Sequence, residues 1–300
     1  MERQVTERSK MGLEDKVVIT AALTGVAANR DQCKWIPYTP KEIAEDALAC
    51  YNAGASVVHI HARENDGSPS WRVEVFREIM IEVRKRCPII INYSTGAVLT
   101  ERDARIAHIR DLKPEIAALN MGTMNYAKYS PKRKDFVFSV VFHNPFEDIM
   151  FFLDTMKKND VKPECECFDL GHLESIFPLM DMGLLKKFQV SLIMGVVGGM
   201  AATARNLAYV SSLVPQGAAW EVIGIGQEQW LLIATALSLG GNIRVGLEDN
   251  FYLSPGVMSQ GNGPLVEKAA RMARDVGREP ATVEEARAIL GVPKVSGVKS

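Results

Sequence analysis

The chain has 300 residues, of which 47% are hydrophobic, so it can bury one large core or two smaller ones. Lys and Arg number 35 against 36 Asp and Glu, and this balance argues against nucleic acid or an anionic membrane as a partner. No run of about 18 apolar residues occurs, and the charged segment 1–10 lacks the apolar core of a signal peptide, so we expect no membrane segment.

The cysteines indicate a reducing compartment. There are five of them, an odd number, at positions 33, 50, 87, 165 and 167. Cys165 and Cys167 are separated by one residue and do not form a C-x-x-C motif. Free thiols of this kind are typical of proteins that stay reduced, so we expect a cytoplasmic protein.

Short apolar, β-branched segments alternate with amphipathic ones along the chain. Residues 1–14 are predicted to form a mobile tail, and residues 15–300 a single catalytic domain. The predicted strands are Val17–Leu23, Ser56–His61, Ile89–Tyr93, Ile116–Asn120, Glu164–Phe168, Phe188–Ile193, Trp220–Ile223 and Asn242–Leu247. The predicted helices are one that runs through Ala53, then Arg72–Arg86, Glu101–Arg110, Phe146–Asn159, Leu173–Met182, Ala202–Val214, Glu228–Leu239 and Pro264–Val276.

Local signals support these helix boundaries and the fold class. Thr39-Pro40-Lys41-Glu42 is a capping box with Pro at the first helical position, and Gly54 ends the same helix. Eight strands that are each followed by a helix predict an α/β protein with the (β/α)₈ TIM barrel fold. An open doubly wound sheet is the main alternative, and Phe136–Phe142 adds one more candidate strand to the count.

The second predicted strand carries His59 and His61 with one residue between them. Side chains alternate along a strand, so both histidines point to the same face, about 6–7 Å apart. This suits two imidazoles that bind one ion, since Zn–N bonds are about 2.0–2.1 Å long. The alternative is two core histidines whose ring nitrogens are hydrogen-bonded to the protein. Burial of such a pair together with Arg63 costs free energy, however, which makes this alternative less favourable.

A third metal ligand is expected from the last strand. In a (β/α)₈ barrel the chemistry lies at the C-terminal ends of the strands, and strands one, two and eight are neighbours. Glu248 is therefore expected beside His59 and His61. Two histidines and one carboxylate with an open fourth position are typical of a catalytic zinc site.

Motifs spread over nearly the whole chain resemble those of the β-keto acid cleavage enzyme family. They are Thr20–Gly25, Gly54–Ala55 with His59–Arg63, Ser94–Gly96, Leu119–Thr123 and Arg244–Asn250, and the resemblance extends from Val17 to Gly291. It implies a zinc-dependent (β/α)₈ barrel that is usually a homotetramer. It also implies a reaction of a β-keto acid with acetyl-CoA that releases acetoacetate and the CoA thioester of the remaining acyl fragment.

The resemblance also implies a role for each of several residues. His59, His61 and Glu248 are implied as the ligands of Zn²⁺, which polarises the substrate ketone. Arg244 and Asp249 match the catalytic pair, which handles a proton and steadies developing negative charge.

Further residues are assigned to the substrates. Ser94, Thr95, Gly96 and Thr123 lie where the family binds the substrate carboxylate. Asp169 lies near an acidic residue of the fifth strand that is implicated in the family, so it is a third catalytic candidate, although a structural hydrogen bond is an equal alternative.

Two glycines are candidates for binding CoA. Gly198 and Gly199 end the glycine-rich segment that starts at Gly195, where CoA can approach the backbone closely. A tight turn between the sixth strand and its helix explains the same glycines equally well. The segment lacks the dinucleotide-binding fingerprint.

The chain departs from the family pattern at two places. Ala27 stands where members with amino substrates carry an acidic residue, so an uncharged or anionic acyl group is expected rather than an ammonium. Gln227 follows Gly226 where relatives often carry Arg. His108, on a predicted helix, is expected at the surface.

Two other functions remain as alternatives. A metal-dependent hydrolase on a TIM barrel also uses a His-x-His pair, but normally places it on the first strand and adds later histidines. A metal-stabilised barrel without catalysis would leave Arg244 and Asp249 unexplained.

Overall fold

Strands and helices alternate along most of the computed structural model, which describes residues 15–98 and 100–292. The tail predicted at residues 1–14 lies outside the described residues. The strands are β1 (Lys16–Val17), β2 (Ile19–Ala22), β3 (Val57–Ile60), β4 (Ile90–Ser94), β5 (Ile116–Asn120), β6 (Met124–Ser130), β7 (Asp135–Phe142), β8 (Lys162–Cys167), β9 (Gln189–Met194), β10 (Ala219–Gly224), β11 (Asn242–Val245), β12 (Tyr252–Ser254), β13 (Val257–Met258) and β14 (Glu279–Pro280). The helices are α1 (Pro40–Ala53), α2 (Val73–Arg84), α3 (Arg102–Leu112), α4 (Phe146–Lys158), α5 (Leu170–Glu174), α6 (Ile176–Asp181), α7 (Ala204–Ser211), α8 (Gln229–Ser238), α9 (Gly263–Asp275) and α10 (Val283–Leu290).

Eight parallel strands close into a barrel in the order β10-β11-β2-β3-β4-β5-β8-β9. The predicted TIM barrel is confirmed, and the open doubly wound sheet is wrong because the sheet has no free edge. As predicted, β2 lies between β11 and β3, the strands that carry or precede the three candidate ligands. The register pairs Ala22 with His59 and His59 with Asn92.

The apolar faces of the strands explain the core. Alternate residues such as Val58, Ile60 and Leu119 point outward into the main apolar cluster, between the barrel and its helices. Helix α1 starts at the predicted capping box, in which the Thr39 hydroxyl accepts from the Glu42 N–H, and it ends at Gly54 with φ 112°. These outward contacts leave the inner faces free to carry polar side chains.

Helix α10 covers the N-terminal end of the barrel. Its Val283, Ala286 and Leu290 pack against buried residues at the start of the strands, including Val57 and Ile90. This helix was not among the predicted elements, because it is not part of the strand-helix alternation. Its local signal is the capping box that Thr282 and Glu285 form at its start. The barrel is therefore closed at this end, and its C-terminal end is the one that can admit substrates.

The additional candidate strand Phe136–Phe142 is β7, which pairs with β6 in an antiparallel hairpin outside the barrel. The hairpin lies in the connection between β5 and α4, so the count of eight barrel strands is preserved. In the described part of the chain, no helix is both long and apolar enough to cross a bilayer.

Candidate active site

His59, His61 and Glu248 meet at the C-terminal mouth of the barrel. Oε1 of Glu248 lies 3.6 Å from Nε2 of His59 and 3.5 Å from Nε2 of His61. The two imidazole rings stand edge to face with centroids 5.2 Å apart. One carboxylate oxygen thus faces both ring nitrogens that the sequence predicted to share an ion.

This donor set fits a metal ion. Two donors about 2.0–2.2 Å from one ion in near-tetrahedral geometry are themselves about 3.3–3.6 Å apart, as are these nitrogen and oxygen atoms. Both ring nitrogens of His59 are buried and have no hydrogen-bond partner among the described residues. Burial, with Arg244 nearby, lowers the pKa of His59 to about 3, so the imidazole is neutral as a metal ligand must be.

His59 also lies near Glu164 and Glu166, and these three make a second group that could hold an ion. Oε1 of Glu164, however, already accepts a hydrogen bond of 2.5 Å from the Ser191 hydroxyl, and its other oxygen accepts one from the Asn92 amide. The set with His61 and Glu248 is therefore the better metal site.

Arg244 joins the acidic groups of the mouth. Its Nη2 donates to Oε1 of Glu248 at 2.6 Å, and its Nε and Nη2 donate to the two carboxylate oxygens of Asp249 at 3.0 and 3.1 Å. Nη1 lies 3.5 Å from Oε1 of Glu166 and has no hydrogen bond among the described residues. One guanidinium therefore faces three carboxylates, and one of its nitrogens is left for a ligand.

The buried charges perturb one another. Burial alone would raise the pKa of Glu248, but Arg244 and the two imidazoles hold it well below its usual range. Burial and the charge of Glu248 raise the pKa of Asp249 to about 6, against the opposing effect of Arg244. Burial and the neighbouring Glu164 raise the pKa of Glu166 to about 8. The mouth thus contains carboxyl groups suited both to accept and to hold a proton near neutral pH.

A second acidic pair lies deeper in the barrel. The Ser191 hydroxyl lies 2.5 Å from Oε1 of Glu164 and 3.1 Å from Oε1 of Glu221, and the Thr20 hydroxyl donates to Glu221 at 2.8 Å. Burial and the charge of Glu164 raise the pKa of Glu221 well above its usual range. Glu221 is thus the protonated member of the pair, and the interior beneath the metal site stays hydrogen-bonded.

The loop after β2 is held against Glu248. The Gly25 N–H donates to Oε2 of Glu248 at 3.1 Å. Arg63, buried, donates to the carbonyls of Thr24, Gly25, Ala28 and Gly67 at 2.7–2.9 Å. Arg63 therefore positions this loop through backbone contacts.

The loop after β4 contains three predicted substrate-binding residues. The Ser94 hydroxyl accepts from the Gly96 N–H at 3.1 Å, two residues beyond Asn92 on the inner face. The Thr95 hydroxyl instead donates to the Ala118 carbonyl at 2.6 Å and is fully buried in the wall. Ser94 is thus better placed than Thr95 to meet a ligand.

His108, expected at the surface, is fully buried, and that expectation was wrong. Its ring stacks on Phe76 at 3.8 Å, and its Nε2 donates to the Ser94 carbonyl at 3.0 Å. This hydrogen bond fixes the backbone of Ser94, which explains why a helix places a polar ring toward the barrel.

A buried pair connects the loops of Ser94 and Thr123. Arg105 donates to the Thr95 carbonyl at 2.9 Å and to Oδ1 of Asn144 at 2.6 Å. The Asn144 N–H in turn donates to the Thr123 hydroxyl at 2.8 Å. Thr123 is exposed at the mouth. The hydrogen bonds of Arg105 and Asn144 hold the two predicted carboxylate-binding loops in a fixed relation.

Asp169 caps helix α5. Its Oδ1 accepts from the His172 N–H at 2.9 Å, and its other oxygen lies 3.8 Å from Nε2 of His172. Glu166, three residues earlier and not predicted as a site residue, is the acidic side chain of β8 that approaches Arg244. The alternation Glu164-Cys165-Glu166 contained the signal, since it places both glutamates on the inner face.

Gly198 and Gly199 pack against backbone. Gly198 has φ 104°, and a Cβ there would lie 1.8 Å from the Asn125 carbonyl oxygen. A Cβ on Gly199 would lie 2.7 Å from the Phe168 carbonyl oxygen. The hairpin and the end of β8 therefore require both glycines, whether or not CoA also binds there.

The family profile described as beta-keto acid cleavage enzyme matches residues 16–292. The chain belongs to this family. It is 37% identical over 282 residues to the 3-keto-5-aminohexanoate cleavage enzyme of Fusobacterium nucleatum, covering 93% of this chain and 99% of that protein. It is 33% identical over 301 residues to the 3,5-dioxohexanoate:acetyl-CoA acetone transferase of Paraburkholderia graminis, covering 93% and 97%.

Among solved structures, the apo structure of ObcA is similar with a TM-score of 0.73 and 20% identity. The similarity covers 87% of this chain and 66% of that chain. At this identity it supports the barrel fold alone. The relatives with higher identity carry names that differ in the keto acid, so family membership leaves the acyl group of this chain's substrate open.

Proposed function

We propose that this protein joins a β-keto acid with acetyl-CoA and releases acetoacetate and a new acyl-CoA. The observation that carries the proposal is the contact of Arg244 with both Glu248 and Asp249 beside His59 and His61. It combines a metal-ligand set with a fixed cation and an ionisable carboxylate in one buried mouth. A reaction that forms and cleaves bonds next to a ketone needs all three.

We propose Zn²⁺ as the ion, held by His59, His61 and Glu248. Bound there, zinc would supply Lewis-acid polarisation of the substrate ketone. The two-histidine, one-carboxylate set favours zinc over Mg²⁺ or Ca²⁺, which prefer oxygen ligands. The low pKa of Glu248 keeps this ligand ionised.

The proton at C2 of the keto acid is handled by the carboxylates around Arg244. Asp249 accepts it, Glu166 stays protonated beside Arg244, and Arg244 steadies the negative charge that develops. C2 then bonds to the carbonyl carbon of the acetyl thioester, and CoA leaves as the thiolate. The thiolate adds to the original ketone carbon, the bond from that carbon to C2 breaks, and C2 recovers a proton as acetoacetate is released.

The substrate carboxylate is placed at the loops after β4 and β5. Ser94 and Thr123 supply their hydroxyl O–H groups there, the Gly96 N–H holds the Ser94 hydroxyl, and Arg105 holds the two loops together through Asn144. The Thr95 hydroxyl is engaged by the barrel wall, so its contribution is to the loop backbone. This arrangement presents neutral donors to the carboxylate and leaves Arg244 for the reacting carbons.

The acyl group of the substrate is proposed to be uncharged or anionic. Ala27 is exposed in the loop that Arg63 holds, and neither residue offers a carboxylate to an ammonium. The positive charge of Arg63 behind the loop further disfavours a cationic acyl group. We therefore expect aliphatic or dicarboxylic β-keto acids to react better than an amino-substituted one.

Two further proposals concern the setting of the enzyme. The five cysteines are free and buried, in keeping with a reducing cytoplasm. Phe136, Val137 and Val141 are exposed on the hairpin, and their burial would support the homotetramer that the family resemblance implies. Light scattering on the purified protein tests the assembly.

The function is tested with a panel of β-keto acids incubated with acetyl-CoA and scored by mass spectrometry of the acyl-CoA formed. The panel includes 3-keto-5-aminohexanoate and its alkyl analogue of equal length. We expect the wild type to form acyl-CoA from the alkyl acid. In Ala27→Glu we expect the substrate preference to shift toward 3-keto-5-aminohexanoate. Release of free CoA or plain hydrolysis of the keto acid, without a new acyl-CoA, would instead support a metal-dependent hydrolase.

A further inference from the structure

The inserted hairpin carries a tyrosine into the barrel mouth. The ring of Tyr126 stacks on Phe138 at 5.7 Å and meets Phe142 and Phe168 at 5.8 and 6.2 Å. It belongs to a separate apolar cluster with Ile193 and Ile223, the inward residues near the ends of β9 and β10. The ring is therefore seated in an apolar wall of the mouth, and its hydroxyl is the polar group of that wall.

This wall faces the metal-ligand set across the barrel. In the closed strand order, β8 lies opposite β2, and β2 lies between the strands of His59 and Glu248. Phe168, on which Tyr126 packs, directly follows β8. The two walls thus enclose the space in which the reactants of the proposed reaction must meet.

The hydroxyl group of Tyr126 lies within electrostatic reach of the charged groups of the site. Burial, with the negative charges of Glu248, Asp249 and Glu166, raises the pKa of Tyr126 to about 12, so the phenol keeps its proton. Among the residues that the structure describes, its hydroxyl makes no hydrogen bond. A protonated donor without a partner is thus available to a ligand oxygen.

The backbone around Tyr126 is fixed. On one side, the Asn125 carbonyl lies against Gly198, where a Cβ would approach to 1.8 Å. On the other, the Ala127 N–H donates to the Val197 carbonyl at 3.3 Å. Both neighbours are held by the same loop, so the ring has a defined position despite its place on an insertion.

We propose that Tyr126 is a further catalytic residue, which donates a hydrogen bond to the thioester carbonyl oxygen of acetyl-CoA. This inference rests on the proposed function. The ketone of the keto acid is assigned to the side of His59 and His61, and its carboxylate to Ser94 and Thr123. The thioester carbonyl of acetyl-CoA is therefore assigned to the wall that carries Tyr126.

The chemistry of the acyl transfer requires such a donor. When C2 bonds to the thioester carbon, an electron pair moves onto the carbonyl oxygen, and it returns when the bond to sulfur breaks and the thiolate leaves. The phenol stabilises this oxygen by its hydrogen bond and transfers no proton, in keeping with its raised pKa. Removal of C2–H precedes this step and does not involve the thioester.

The test compares Tyr126→Phe with Tyr129→Phe. Tyr129 lies on the same hairpin, is 44% exposed and packs on Phe136, so it is a matched control. Two rates are measured with acetoacetate: transfer of labelled acetyl from acetyl-CoA into acetoacetate, and enzyme-dependent exchange of the C2 hydrogens with D₂O in the absence of acetyl-CoA. Metal content and thermal unfolding are recorded for each protein.

We expect Tyr126→Phe to lower kcat of acetyl transfer about 100-fold. We also expect it to leave C2 exchange, the KM for acetoacetate and the metal content unchanged, and Tyr129→Phe to behave as the wild type. Equal transfer by the two variants would overturn the inference, and so would an equal loss of C2 exchange or a rise in the KM for acetoacetate alone. A wild-type protein that transfers no acetyl would instead overturn the proposed function and this inference with it.

Discussion

The Nη2 atom of Arg244 lies 2.6 Å from the same carboxylate oxygen of Glu248 that faces the imidazoles of His59 and His61. The guanidinium thereby keeps Glu248, a proposed metal ligand, ionised while it also binds Asp249. Because both contacts use one buried cation, the proposed metal site and the proposed proton-handling site are electrostatically coupled. A change of charge in one is therefore expected to shift pKa values in the other.

The first prediction concerns the metal. Purified wild-type protein is expected to contain close to one zinc per chain by elemental analysis, and His59→Ala and His61→Ala are expected to lose both the metal and turnover. His143→Ala is the control, since His143 is exposed. Full metal content and activity in either ligand variant would show that the ion is bound elsewhere.

The second prediction separates the acidic residues. Asp249→Asn keeps the shape of the side chain but removes the charge that Arg244 binds, so kcat should fall about 100-fold with zinc retained. Glu166→Gln should also slow turnover, at least tenfold. Asp169→Asn should change kcat less than about twofold, because Asn caps a helix as well as Asp. If Asp169→Asn lowered kcat as much as Asp249→Asn, Asp169 would be a catalytic residue.

The third prediction concerns Gly198. Gly198→Ala combines φ 104° with a Cβ 1.8 Å from the Asn125 carbonyl oxygen, so the hairpin must shift and kcat should fall together with the melting temperature. Gly217→Ala, with φ 83° and nothing within 4 Å of its Cβ, is the matched control for backbone strain alone. A change confined to the KM for acetyl-CoA would favour the CoA-binding role predicted for Gly198 and Gly199.

The fourth prediction is a pH dependence of stability. Asp46 accepts two hydrogen bonds from Asn262, and burial, against the effect of those bonds, raises its pKa to about 6. The unfolded value is about 3.9, so between these values the folded state binds more protons, and this group's contribution to stability is lost as the pH rises through 6.

Asp46→Asn removes that titration. The unfolding free energy of the wild type should therefore fall by about 1–3 kcal/mol more than that of the variant when the pH rises from 4.5 to 7.5. Denaturant titrations at the two pH values measure the difference, and Glu45→Gln on the exposed side of α1 is the control. Parallel pH profiles for wild type and Asp46→Asn would show that the folded carboxyl titrates normally.

The barrel and the proximity of His59, His61 and Glu248 were predictable because they depend on short-range patterns and one topological rule. The alternation of strands and helices predicts the fold, and the neighbouring positions of strands eight, one and two predict that Glu248 reaches His59 and His61. The hairpin that complicated the strand count lies outside the barrel, where β7 pairs with its neighbour along the chain, β6.

What the sequence did not predict depends on the direction of individual side chains. Asp169 follows β8 and turns to cap α5, whereas Glu166 still lies on the strand and points inward to Arg244. His108 is buried because it binds the Ser94 carbonyl across two elements. Tyr126 lies at the mouth on a hairpin whose backbone packs against the loop around Gly198. Only Glu166 had a local signal, the alternation Glu164-Cys165-Glu166; the contacts of His108 and Tyr126 have none in the sequence.

The proposed reaction transfers an acyl group between CoA and the C2 carbon of a β-keto acid. Every reaction of this kind yields acetoacetate, so the exchange of ¹⁴C-acetyl from acetyl-CoA into unlabelled acetoacetate tests the chemistry without knowledge of the acyl group. We expect the zinc-loaded wild type to label acetoacetate in a time-dependent manner, and Asp249→Asn to do so about 100-fold more slowly. Absence of label in acetoacetate with the metal-loaded wild type would show that the site does not catalyse this acyl transfer.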